Sequence, residues 1–181
     1  NDWEGFSENL KEVVKYSREE ARLRAEAKGC SPYDALLDIF EPGMTSAQLD
    51  VLFADVKSWL PDLLNKVVAK QSQQSLIAPV GPFPTAVQRE LGLETMAQLG
   101  FDFTAGRLDI SAHPFCGGVP EDVRITTRYD ENELLSALFG VIHETGHARY
   151  EQNLPRSWSG QPIALARSTA IHESQSLFFE M

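Results

Sequence analysis

The stretch Leu134-Leu135-Ser136-Ala137-Leu138-Phe139-Gly140-Val141-Ile142-His143-Glu144-Thr145-Gly146-His147 decides how this chain is read. Leu134, Leu135, Leu138, Phe139 and Ile142 recur at helical spacing. A helix of 3.6 residues per turn sets His143 and His147 one turn apart on one face, with Glu144 about 100° round from the first. Both imidazoles can then bind one metal ion. Neutral imidazoles leave a Zn²⁺ ion its charge, and that charge lowers the pKa of a bound water. Glu144 can take the water's proton as it attacks a carbonyl.

Working outward, Asp130 is expected to cap this helix with Glu133 completing a capping box, and Pro155 to stop it near Asn153. Upstream, residues 107–111 and 123–129 alternate polar and apolar and read as two strands of a small sheet. On the second, a period of two puts Asp122, Arg124, Thr126 and Arg128 on one face and Val123, Ile125 and Thr127 on the other. His113-Pro114-Phe115 and Gly117-Gly118 lie between the strands. Downstream, Ser157 to Gly160 form a loop. A last helix should begin near Pro162, with Ala166, Ala170, Ser174, Leu177, Phe178 and Met181 on one side.

The N-terminal half reads as helices. Glu8 to Lys28 is amphipathic and ends at Gly29. Ser31-Pro32 opens a short helix through Phe40 that Glu41-Pro42-Gly43 closes. Thr45 and Gln48 have capping-box spacing before a longer apolar pattern, which Pro61 should kink or split. Gln71 to Pro84 is a connector, too weak a signal to insist on a domain boundary. Thr85 with Gln88 suits another helix start, with a stop at Gly100.

Composition excludes some partners. The 181 residues are 43% hydrophobic, enough for a core, and carry a formal charge of -10. No basic cluster occurs, so nucleic acid and anionic membrane surfaces are unsuited as partners. Cys30 and Cys116 are far apart and form no CxxC pair, which argues against a disulfide framework and fits a cytoplasmic setting. No apolar run approaches the roughly 18 residues of a membrane span. The start at Asn1 without Met does not resemble a signal peptide, and both ends read as those of a piece of a longer protein.

A catalytic zinc takes three protein ligands, so the histidine pair needs one more. The metzincin pattern fails, because Tyr150 and Asn153 stand where it wants Gly and His. Candidates are His113, Glu151, His172, Glu173 and Glu180. Glu173 is preferred, since a helix returning after a loop can offer a carboxylate to the histidine pair. His172 is the nearest rival, and could instead line the site as a hydrogen-bond donor.

Four motifs in order, Asp109-x-Ser111-x-His113-Pro114-Phe115, Asp122-x-Arg124-x-Thr126, His143-Glu144-x-Gly146-His147 and His172-Glu173-Ser174-Gln175-Ser176, resemble the M32 family of metallocarboxypeptidases, the thermostable carboxypeptidase Taq family. The resemblance runs through essentially all 181 residues, while family members extend further on both sides. It implies a mainly α, zincin-like HExxH metallopeptidase fold with a small antiparallel β-sheet beside the active site. It also implies His143, His147 and Glu173 as metal ligands, Glu144 as general base, and a homodimer in the complete protein. The family's carboxylate-binding arginine would fall beyond Met181.

Arg124 and Arg128 are available cations, though Arg124 suits a structural pair with Asp122 or Glu121. His113 could hydrogen-bond a tetrahedral intermediate or hold the strand connection. The expected activity is metallocarboxypeptidase hydrolysis of C-terminal peptide bonds, with peptide or protein C-termini as substrates and one divalent ion per chain. Zinc suits that donor set, with cobalt or manganese also compatible. Spacing alone does not separate this from another HExxH endopeptidase or aminopeptidase, or from an inactive helical fragment.

Overall fold

The computed structural model describes residues 2–75 and 77–181. They fall into two compact units, Asn1–Ser75 and Leu76–Met181. The break lies inside the connector, where residues 72–75 and 77–84 form no helix or strand.

The first unit is three helices: α1 (Trp3–Lys28), α2 (Pro32–Phe40) and α3 (Ser46–Gln71). The first begins earlier than the apolar stripe suggests, because the Asp2 carboxylate accepts from Gly5 N–H at 2.9 Å and caps it. Gly29, at φ 67°, ends it as expected. Ser31 caps α2, and Thr45 with Gln48 forms the anticipated capping box on α3. Of the two outcomes expected at Pro61, a kink or a split, the split does not occur: the missing N–H removes one backbone bond, and the helix continues through it. Ala21, Ala25 and Ala35 are buried, while α3 buries no residue at all.

The second unit holds α4 (Thr85–Gln98), β1 (Gly106–Ile110), β2 (Phe115–Val119), β3 (Asp122–Thr127), α5 (Leu134–Gln152) and α6 (Thr169–Glu180). Met96, Phe101, Leu108, Val123, Ile125, Val141 and Ala148 form its core. Val123, Ile125 and Thr127 are wholly buried, as the alternation predicts, and β3 packs on α5. Among the described residues, no helix is long and apolar enough to cross a membrane.

The sheet is mixed, which corrects the antiparallel expectation. Its order is β1-β3-β2, with β1 parallel and β2 antiparallel to β3. The cause is β2, a strand that the Gly117-Gly118 pair disguised as a turn. With one more strand in between, the chain reverses twice and β3 ends up running with β1.

Two predicted capping boxes are not formed. Gln88 does not cap α4; its Nε2 donates to Phe83 O at 2.6 Å and Asp130 O at 2.9 Å, tying α4 to the loop before α5. Asp130 turns its carboxylate to the backbone and side-chain nitrogens of Asn132, leaving Glu133 as an N-cap without a side-chain bond. The last helix also starts later than Pro162, where a short 3-10 turn (Pro162–Ala164) stands instead. Ser168 accepts from Ile171 N–H and opens α6 at Thr169.

Candidate metal centre

The lower end of α5 is fastened by Gln152, whose side chain accepts from Asp102 N–H at 3.0 Å and donates to Asp102 O and Ala105 O. Along its buried side run Ala137, Val141, Thr145 and Ala148. That anchoring fixes the face roughly a third of a turn away, which carries His143, His147 and Glu151 at four-residue intervals.

The α6 helix meets this face at close range because of Gly146. A Cβ built there would come within 2.5 Å of Ser176 Cα and 2.6 Å of Gln175 O. Ser176 is wholly buried, and its hydroxyl donates to Glu173 O at 2.6 Å. As α5 advances through His143, His147 and Glu151, its partners on α6 step back through Glu180, Glu173 and His172. The two helices are therefore antiparallel.

Their crossing brings three donors together. Nitrogens of His143 and His147 and a carboxylate oxygen of Glu173 all lie within 4.8 Å of one another. Glu173 reaches His143 Nε2 at 3.6 Å and His147 Nε2 at 3.2 Å, and its side chain is 47% accessible. Both Nδ1 atoms are engaged elsewhere. That of His143 meets the Glu180 carboxylate; that of His147 meets His172 Nδ1 at 2.6 Å, and His172 Nε2 meets Glu151 Oε1 at 2.7 Å. Two imidazole nitrogens and a carboxylate oxygen converging on one point form a donor set that fits a divalent ion.

Glu144 is 8% exposed. Burial pushes its carboxyl above the usual range; the charge of His143 opposes this, and Glu173 adds to it. For His147, burial and the neighbouring His172 hold the imidazole below its ordinary value, which favours the neutral form a ligand requires.

His113 is exposed on the turn before β2, near enough for its charge to lower the Glu144 carboxyl. Two hydroxyls hold that turn. Ser111 Oγ donates to His113 O and accepts from the Thr126 hydroxyl at 2.7 Å, and Thr126 Oγ1 accepts from Phe115 N–H. Arg124 is on the exposed strand face and forks onto Asp122, Nη2 to Oδ2 at 2.7 Å, holding that carboxyl below its usual range. No hydrogen bond or ion pair joins Arg124 to the cluster among the described residues.

In the sequence Glu151 and Glu180 stand out only as candidate third ligands, and Gly146 has no evident role. The signal was the four-residue spacing His147–Glu151 on α5 and His172–Ser176–Glu180 on α6. Its meaning depends on the register between the helices.

The family model described as carboxypeptidase Taq (M32) metallopeptidase matches residues 1–181. "Carboxypeptidase 1" of Bacillus subtilis is 42% identical over 181 residues, covering 99% of this chain and 36% of that protein. "Thermostable carboxypeptidase 1" of Thermus thermophilus is also 42% identical, covering 99% and 37%. The solved structure of Trypanosoma cruzi metallocarboxypeptidase 1 superposes with a TM-score of 0.87 at 53% identity, covering 100% of this chain and 37% of that one. The chain thus spans little more than a third of the length of these relatives.

Proposed function

The chain belongs to the carboxypeptidase Taq (M32) metallopeptidase family, and from that premise we propose that it carries the metal-holding region of a carboxypeptidase that hydrolyses C-terminal peptide bonds. The observation that carries this reading is the convergence of His143, His147 and Glu173 on one point. The second unit supplies all three, while the reading of residues 1–181 as one catalytic region of a longer protein rests on the family match along the whole chain.

His143 and His147 offer neutral nitrogens and Glu173 a charged oxygen, a set suited to Zn²⁺ and compatible with Co²⁺ or Mn²⁺. A bound ion would supply Lewis acidity, polarising the scissile carbonyl and acidifying water. Glu144 is the general base: a carboxylate oxygen takes the proton of the attacking water and returns it to the departing amine nitrogen. Its burial supports the role, since a raised proton affinity brings a carboxylate nearer the working pH.

His113 is read as a donor to the substrate, on the strength of its electrostatic reach to Glu144. For Arg124, the fork onto Asp122 favours holding the strand over anchoring substrate. Peptide C-termini as substrates, a cytoplasmic setting and pairing of two copies belong to the reading of the complete protein.

In the full-length protein, Glu144→Gln should keep about one metal per chain and lose roughly 10²–10⁴-fold in turnover. Undiminished activity would remove Glu144 from the base role. A peptide ending in an amide should keep its last residue; its release would point to an endopeptidase instead.

A further inference from the structure

We infer that Glu151 and His172 are positioning residues for His147, a relay that holds its ring by Nδ1 and turns Nε2 toward Glu173. The assignment follows from the chain of contacts behind the ring. Glu151 Oε1 lies 2.7 Å from His172 Nε2, and His172 Nδ1 lies 2.6 Å from His147 Nδ1. The remaining nitrogen of His147, Nε2, stands 3.2 Å from Glu173. With a metal on that nitrogen the ring's proton would sit on Nδ1, where His172 accepts it and passes its own Nε2–H to Glu151.

The relay is built as one unit. The His147 and His172 rings lie 4.7 Å apart, and Tyr150 packs edge-on against His172 at 4.9 Å. The side chains of His172 and Glu151 are only 21% and 22% accessible, so water competes poorly for their contact. His143 meets the same need more simply, with Glu180 directly on its Nδ1. Carboxylates behind ligating histidines set tautomer and ring orientation, and losing them costs about 10–100-fold in metal affinity.

The inference rests on the metal-centre reading above, and the test separates the two. Zinc affinity of the full-length protein, by chelator competition, is the readout. Glu151→Ala and His172→Phe should each weaken binding about 10–100-fold, and the double variant should lose no more than the larger single loss. Glu151→Gln keeps an oxygen that accepts from His172 and should recover part of the affinity that Glu151→Ala loses. Losses that multiply, or parental affinity in a folded Glu151→Ala protein, overturn the relay. A parent that binds no zinc overturns the metal-centre reading instead, and with it the relay's purpose.

Discussion

Burial, with the charges of Glu144 and Glu151 nearby, pushes the Cys116 thiol up to about 12 from an ordinary 9.0. The thiolate is the reacting form, so at neutral pH about a thousandfold less of it is present than for an unperturbed thiol. Iodoacetamide at about pH 8 should therefore modify Cys116 far more slowly in the folded protein than in the unfolded one. Glu144→Gln removes one of the charges that raise the thiol and should speed the labelling while burial still limits it. Equal rates in the parent and that variant would place Glu144 too far away to act. At this scale the sequence was informative wherever chemistry depends on neighbours along the chain. His143, Glu144 and His147 are set by spacing on one helix, and the Arg124–Asp122 pair by alternation on one strand. Glu151, Glu180 and Cys116 were not legible, because their neighbours come from other elements.

Helix α6 reaches the histidines because α5 has no side chain at Gly146, where the clash would be with backbone atoms at 2.5 and 2.6 Å. Two effects oppose each other in Gly146→Ala. Alanine gains about 1 kcal/mol of helix propensity, whereas overpacking against a rigid neighbour costs typically about 1–3 kcal/mol. Backbone cannot rotate out of the way, so the second should win. Denaturant titration should show net destabilisation, and zinc affinity should fall as Glu173 is displaced; a variant more stable than the parent would refute the close crossing. Nothing in the sequence around Gly146 announces this contact, since a glycine inside a helical pattern reads only as a weakness. Elements themselves were largely legible from caps and periodicity, as at Ser31-Pro32, Thr45-Gln48 and Gly29. The failures came where a capping residue was drawn into tertiary bonding, Gln88 to Phe83 and Asp130, or where paired glycines concealed β2. The apolar stripe of α6 is not its buried side, for Leu177 and Phe178 are exposed while Ser176 is wholly buried.

The two compact units divide the chemistry unequally. Every donor of the proposed centre, and every residue of its relay, lies in Leu76–Met181, while Asn1–Ser75 contributes none. That partition was not readable from the connector, whose Gln, Ser and Pro residues mark a turn region without saying how contacts distribute on either side. It has a thermodynamic consequence. A ligand that binds only the folded form stabilises it by RT ln(1 + [L]/Kd), about 2.7 kcal/mol at a hundredfold excess over Kd. Amides that exchange through unfolding of the unit holding the site should slow by up to about a hundredfold. Hydrogen exchange of the 181-residue chain with and without zinc should thus show protection gained in α5 and α6 and little change in α1, α2 and α3. Glu173→Ala should cancel the gain by removing the carboxylate that joins the two helices at the centre. Protection rising equally in α1–α3 would mean that the units unfold together. No gain in α5 and α6 would refute the three-donor centre, because an ion held by His143, His147 and Glu173 must oppose the separation of the helices that carry them.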